Sequence, residues 1–160
     1  MSEIFDVGAF HRKFGLPYTT TGEYGPREVP QEVIRFRIQF MLEELLEFVR
    51  GAGGRLVPEY DPIDHHLTGF GVEFNSDEVD HVETFDALID LVYVALGTVH
   101  LFGYPWHWGW NSVQQANMRK VRAFEDGSNS KRGSRFDVVK PEGWEPPNIA
   151  GILRNFGWEV

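Results

Sequence analysis

No cysteine occurs among the 160 residues. That excludes a disulfide framework and any zinc site built on thiolates, and it makes the cytoplasm the default compartment. A basic excess is missing as well: 24 Asp and Glu against 15 Lys and Arg leave a net charge of −9. General nucleic-acid binding, which uses a cationic face, is therefore not expected. An acidic protein that handles phosphates would reach them through metal ions. The opening MSEIFDVGAF lacks the basic start and apolar stretch of a secretory signal. The longest apolar run, LVYVALGTVHLFG, is too short to span a bilayer and contains a histidine, so no membrane partner is expected. Repeats and low-complexity segments are also missing. What is present is ample material for a core, with 42% hydrophobic and 14% aromatic residues in a chain of one-domain length.

The pattern predicts a helix over about residues 3–14, closed by Gly15 and Pro17. A long helix follows over about 30–50, with Pro30 in its first turn and GAGG as its stop. Residues 51–77 form a Gly/Pro/Asp-rich connection in which LTGFGVEF suits a small hairpin. A second long helix is expected over about 77–102 with Asp77 as N-cap, and a third over about 111–124. Residues 125–160 read as an irregular tail with a short helix in NIAGILRNF. The expected fold is all-α: a single domain over 1–160, an antiparallel helical bundle with a loop insertion and a C-terminal tail.

The stretch FMLEELLEF places Glu43, Glu44 and Glu47 in an otherwise apolar run. At about 100° per residue, Glu44 and Glu47 lie within roughly 100° of Glu43, bordering the apolar side that carries Val33, Phe36 and Phe40. The second long helix repeats the arrangement, with Glu83, Asp86 and Asp90 on one stripe continued by Tyr93 and Gly97. From Leu91 onward that helix is apolar almost all round, which normally means burial, so Asp90 does not read as a solvated charge. Carboxylates crowded out of water repel one another and raise each other's pKa. A divalent cation, which prefers oxygen ligands, relieves that conflict.

The ordered set EELLE, DALIDLVYVALGTVHLFG and ANMRK resembles the all-α nucleoside triphosphate pyrophosphatases, the superfamily of MazG-like enzymes and phosphoribosyl-ATP pyrophosphohydrolase. The FHRKFGLP start and the KPEGWEPP tail bring it nearest to the phage and bacterial MazG-like branch. The resemblance implies a homodimer or homotetramer that uses Mg²⁺, with Mn²⁺ as a substitute. It also implies cleavage of a (d)NTP between its α- and β-phosphates, giving a monophosphate and pyrophosphate. Glu43, Glu44 and Glu47 match the first family motif, and Asp90 matches the Asp of the second. The chain departs at Ala87, where the family usually has Glu, and either Asp86 or Glu83 is the substitute. Glu44, Glu47, Asp86 and Asp90 are thus the expected metal ligands. Glu43 either completes the metal shell or activates water.

Asn117 and Lys120 resemble the family's phosphate-contacting pair, one an amide donor and the other a point charge. Lys131 and Arg132 in SNSKRGS are further candidates for phosphate, and Phe10 and His11 for the base. Trp106, Trp108 and Trp110 suit either a stacking platform or a loop bridging helices at an oligomer interface. His65, His66 and His81 lack the spacing of a zinc set. Two rivals stand beside the hydrolase. A carboxylate-bridged di-iron bundle needs two Glu-x-x-His motifs, and the chain has one, Glu78 to His81. A silent relative that only binds nucleotides is suggested by Ala87.

Overall fold

The computed structural model describes residues 2–20 and 22–160. They divide into two units, residues 2–20 with 27–102 and residues 22–26 with 103–160.

The first unit is built on two long helices. Helix α1 (Glu3–Lys13) starts with Glu3 and Asp6 and ends with Arg12 and Lys13, charges that suit the helix dipole at both ends. Its buried Ile4, Val7, Gly8 and His11 fall on one stripe with helical spacing. The helix stops where Gly15 takes φ +68° and lets the Leu16 N–H reach back to the His11 carbonyl at 2.8 Å. Helices α2 (Gln31–Gly51) and α3 (His81–Phe102) pack along each other, and α1 packs on α3. By length and composition alone α3 could cross a membrane. Its packing on both α1 and α2, and the acids in its first half, mark it as the core helix of this unit.

Three expectations change here. The N-cap of α3 is Asp80 rather than Asp77: its carboxylate accepts from the Val82 and Glu83 N–H groups, each at 3.0 Å. The connection between α2 and α3 is mostly ordered, so the unit is not purely all-α. Strands β1 (Gly54–Tyr60) and β2 (Leu67–Phe74) form an antiparallel hairpin, pairing Gly54 with Phe74 and Val57 with Gly71. Finally, α3 is not buried all round. Helix α1 meets it through His100, Gly97 and Tyr93, so its first half stays uncovered on one side, with Phe85 67% and Ile89 51% exposed. Asp90 is exposed for the same reason, against the burial expected of it.

In the second unit, α4 (Trp106–Met118) begins five residues earlier than expected and ends before Lys120. The short strands β3 (Val121–Arg122) and β4 (Val138–Val139) pair antiparallel, and α5 (Ile149–Asn155) is capped by the Asn148 side chain. Trp108 meets Tyr24 and Phe156 edge-on, with ring centroids 5.3 and 5.1 Å away. WHWGW is thus the first turn and a half of a helix anchored in an aromatic cluster, not a bridging loop.

Candidate active site

Helices α2 and α3 bring the acids together. Glu44 is buried, Glu47 is half-buried, and Glu43, Asp86 and Asp90 are exposed. Burial raises the Glu44 pKa first, and the negative charges of Asp90, Glu47, Glu43 and Asp86 raise it further, in that order. One carboxylate thus feels four others from two helices. Glu83 has another partner: Arg50 holds it at 3.3 Å. Of the two substitutes for the missing Glu at Ala87, Asp86 is therefore the one whose field reaches Glu44, while Ala87 itself is buried.

This donor set fits a hard divalent cation. It consists of carboxylate oxygens alone, with an excess of like charge that a cation would neutralise. Among the described residues the acids of α2 and α3 stay spread, however, and no three of them bring ligand oxygens within 4.8 Å of one another. Among the described residues, Asp61, Asp64 and His66, at the tip of the hairpin, are the group that does so. That tip is held by its own turn: Asp61 accepts from the Ile63 and Asp64 N–H groups at 2.7 and 3.1 Å, and Asp64 accepts from His66. His65 belongs to this turn through its N–H, which donates to the Asp61 carbonyl at 3.1 Å, but neither it nor His81 is among those three ligand groups.

Two helical turns along the same pair, the chemistry changes sign. His11 is buried, and its Nδ1 donates to the Pro17 carbonyl at 2.7 Å. Arg37 on α2 donates from Nε to Thr98 Oγ1 at 3.0 Å and from Nη2 to the Val94 carbonyl. His100 donates from Nε2 to the Ile4 carbonyl at 2.7 Å and accepts from the Thr19 N–H at 3.0 Å. Burial is the main cause that lowers the pKa of both histidines, so both are held neutral. Gly97 makes this possible, since a Cβ there would lie 2.6 Å from Arg37 Nη2 and 2.8 Å from His11 Nε2. A cavity of about 460 Å³ opens beside His11 and Arg37, walled by Leu16, Val29, Val33, Phe36 and Leu101. Arg37 had no role in the sequence reading. Its place on an apolar helix face, seven residues before Glu44, was the available signal. Phe10 meets Tyr93 edge-on at 5.5 Å and serves packing.

The residues assigned to phosphate lie in the second unit. Asn117 is exposed in the last turn of α4. Lys120 is not on that helix: it follows the C-cap Arg119, and its ammonium lies over the Trp144 ring at 5.9 Å. Arg132 is paired with Asp137 at 3.0 Å, an existing ion pair that competes with any phosphate, while Lys131 is exposed.

The family model for phosphoribosyl-ATP pyrophosphohydrolase matches residues 7–117. All the acids of α2 and α3, His11 and Arg37 lie inside the match; Lys120, Lys131 and Arg132 lie beyond it. No curated protein matches the chain.

Proposed function

Because the chain belongs to the phosphoribosyl-ATP pyrophosphohydrolase family, within the MazG-like superfamily, its activity is pyrophosphohydrolysis of nucleotide phosphoanhydrides, and we propose that it cleaves a (d)NTP between the α- and β-phosphates in a Mg²⁺-dependent reaction. The observation that supports the metal is Glu44, buried, with its pKa raised by burial and by the charges of four other acids. Glu44, Glu47, Asp86 and Asp90 hold the ion. When bound, it neutralises phosphate oxygens and polarises the anhydride as a Lewis acid. Glu43, exposed beside them, orients the attacking water and takes its proton. The family resemblance assigns an amide N–H from Asn117 and the charge of Lys120 to the phosphates, with Lys131 as an auxiliary. Arg132 contributes only if it leaves Asp137.

A homodimer or homotetramer belongs to this reading. Its support is the uncovered apolar side of α2, with Ile38 and Leu42 about half exposed, and that of α3, with Phe85, Ile89 and Val92.

The experiment is incubation with each NTP and dNTP plus Mg²⁺, with the products separated. Monophosphate and pyrophosphate support the reading; diphosphate and orthophosphate contradict it. Tight nucleotide binding without turnover would instead make the chain a silent relative, the outcome that Ala87 keeps open.

A further inference from the structure

The cavity beside Arg37 and His11 is walled in part by α2, the helix that also carries Glu44, and nothing in the hydrolytic reading uses its polar groups. Arg37 and Glu44 are seven residues apart on α2, and so are Gly97 and Asp90 on α3. Seven residues are two turns, roughly 10 Å along each helix. A sugar and base extending from a phosphate at the acids would span that gap. The volume, about 460 Å³, lies within the ordinary range for small-ligand sites. Its apolar wall includes Phe36, a ring that suits a flat heterocycle.

The polar groups have defined hydrogen-bonding roles. A carbonyl can only accept, so the contact to Pro17 places the His11 proton on Nδ1. Nε2 is then a bare lone pair, and it makes no hydrogen bond among the described residues. Burial, the neighbouring His100 and the Arg37 charge all favour this neutral form. Arg37 is the complement: of its five N–H donors, the bonds to Thr98 and the Val94 carbonyl use two and leave three. Over the bare Cα of Gly97 the two side chains sit next to each other. Arg27 does not compete for this role, since its Nη1 serves the Tyr18 and His100 carbonyls. Glu28 lies at the exposed rim.

We propose that this cavity binds the nucleobase and selects bases carrying a carbonyl next to a ring N–H, namely guanine, hypoxanthine, uracil and thymine, over adenine and cytosine. This rests on the nucleotide-hydrolysing reading above. The base carbonyl accepts from Arg37, and the adjacent ring N–H donates to His11 Nε2. Adenine and cytosine present the reverse edge. Their amino group would face guanidinium N–H, and their unprotonated ring nitrogen would face the His11 lone pair. Both contacts are mismatched and would stay unpaired in a largely apolar cavity.

The test is calorimetric titration with GMP, UMP, AMP and CMP, which reads base preference without turnover. GMP and UMP are expected to bind about tenfold or more tighter than AMP and CMP, the scale of one well-made bidentate contact. Arg37→Met should remove the difference. Equal binding, or a preference for AMP or CMP, in the wild-type protein overturns the proposal. So does an Arg37→Met variant that keeps its circular dichroism and its preference. If that variant does not fold, the wild-type comparison still decides. The hydrolytic reading fails separately, when no triphosphate of any base is turned over with Mg²⁺.

Discussion

One pair of helices carries two polar sites of opposite construction. At the Arg37 end, His11, His100 and Arg37 are desolvated, and each is bonded to a carbonyl or hydroxyl of the protein. That end is held in place by the fold, with His11 Nε2 and three Arg37 N–H groups left over for a ligand. At the Glu44 end, burial and the negative charges of four other acids raise the pKa of one carboxylate, Glu44. A fold keeps such a cluster at a cost to its own stability when a ligand of opposite charge completes it. One site is thus built for the fold and for neutral recognition, the other for an ion.

The largest expected effect is on turnover. Glu47→Gln and Asp90→Asn should each lower it by about a thousandfold or more, as removal of essential electrostatic groups does, with the helical circular dichroism unchanged. If either variant kept near-normal rates, the two ends would not differ as described.

Metal should act on stability at one end only. Mg²⁺ at a hundredfold excess over its dissociation constant is expected to stabilise the wild-type protein by about 2.7 kcal/mol, read as a rise in melting temperature. Glu44→Gln should lose most of that rise, whereas Arg37→Met should keep it.

A packing change sharpens the other end. Gly97→Ala puts a methyl within 2.6 Å of Arg37 Nη2 and 2.8 Å of His11 Nε2. The cost expected for overpacking is about 1–3 kcal/mol, with the Mg²⁺-dependent rise preserved. An unchanged melting temperature would mean that the two side chains are not pinned against that helix.

The smallest effect is in pH, and there the ends have opposite signs. Folding lowers the His11 and His100 pKa values below the ordinary 6.5, so the folded protein prefers them neutral. Their contribution is present above 6.5 and is lost as pH falls from there through the lowered values. Folding raises the Glu44 pKa above 4.5, so in metal-free protein its contribution is present below 4.5 and is lost as pH rises through the raised value. Denaturant melts in EDTA between pH 4 and 8 should show loss on both sides, and Mg²⁺ should remove only the loss on rising pH.

How much of this was legible depended on whether the signal was local. The acids of α2 and α3 and both long helices follow from 3.6-residue spacing, and each of those helices begins or ends within four residues of its expected place. The choice of Asp80 over Asp77 as cap was not legible, because both are aspartates ahead of the same apolar stripe and the register of the first turn decides. The hairpin was half legible: Pro58 in β1 argues against a strand, yet a two-stranded ribbon leaves a proline N–H position free of a second neighbour. The exposure of Asp90 depends on how far α1 reaches along α3, a contact between Phe10 and Tyr93 that separates residues 83 positions apart in the chain. Arg37 was missed because an arginine on an apolar face reads as a snorkelling charge until its partners, Thr98 and the Val94 carbonyl, are seen.

The most direct measurement is titration of metal-free protein with Mn²⁺ or Mg²⁺ by calorimetry, comparing wild type, Asp90→Asn and Asp61→Ala. Binding is expected to be lost in Asp90→Asn and retained in Asp61→Ala. Binding that survives Asp90→Asn but disappears with Asp61→Ala would place the ion at the hairpin tip and contradict it.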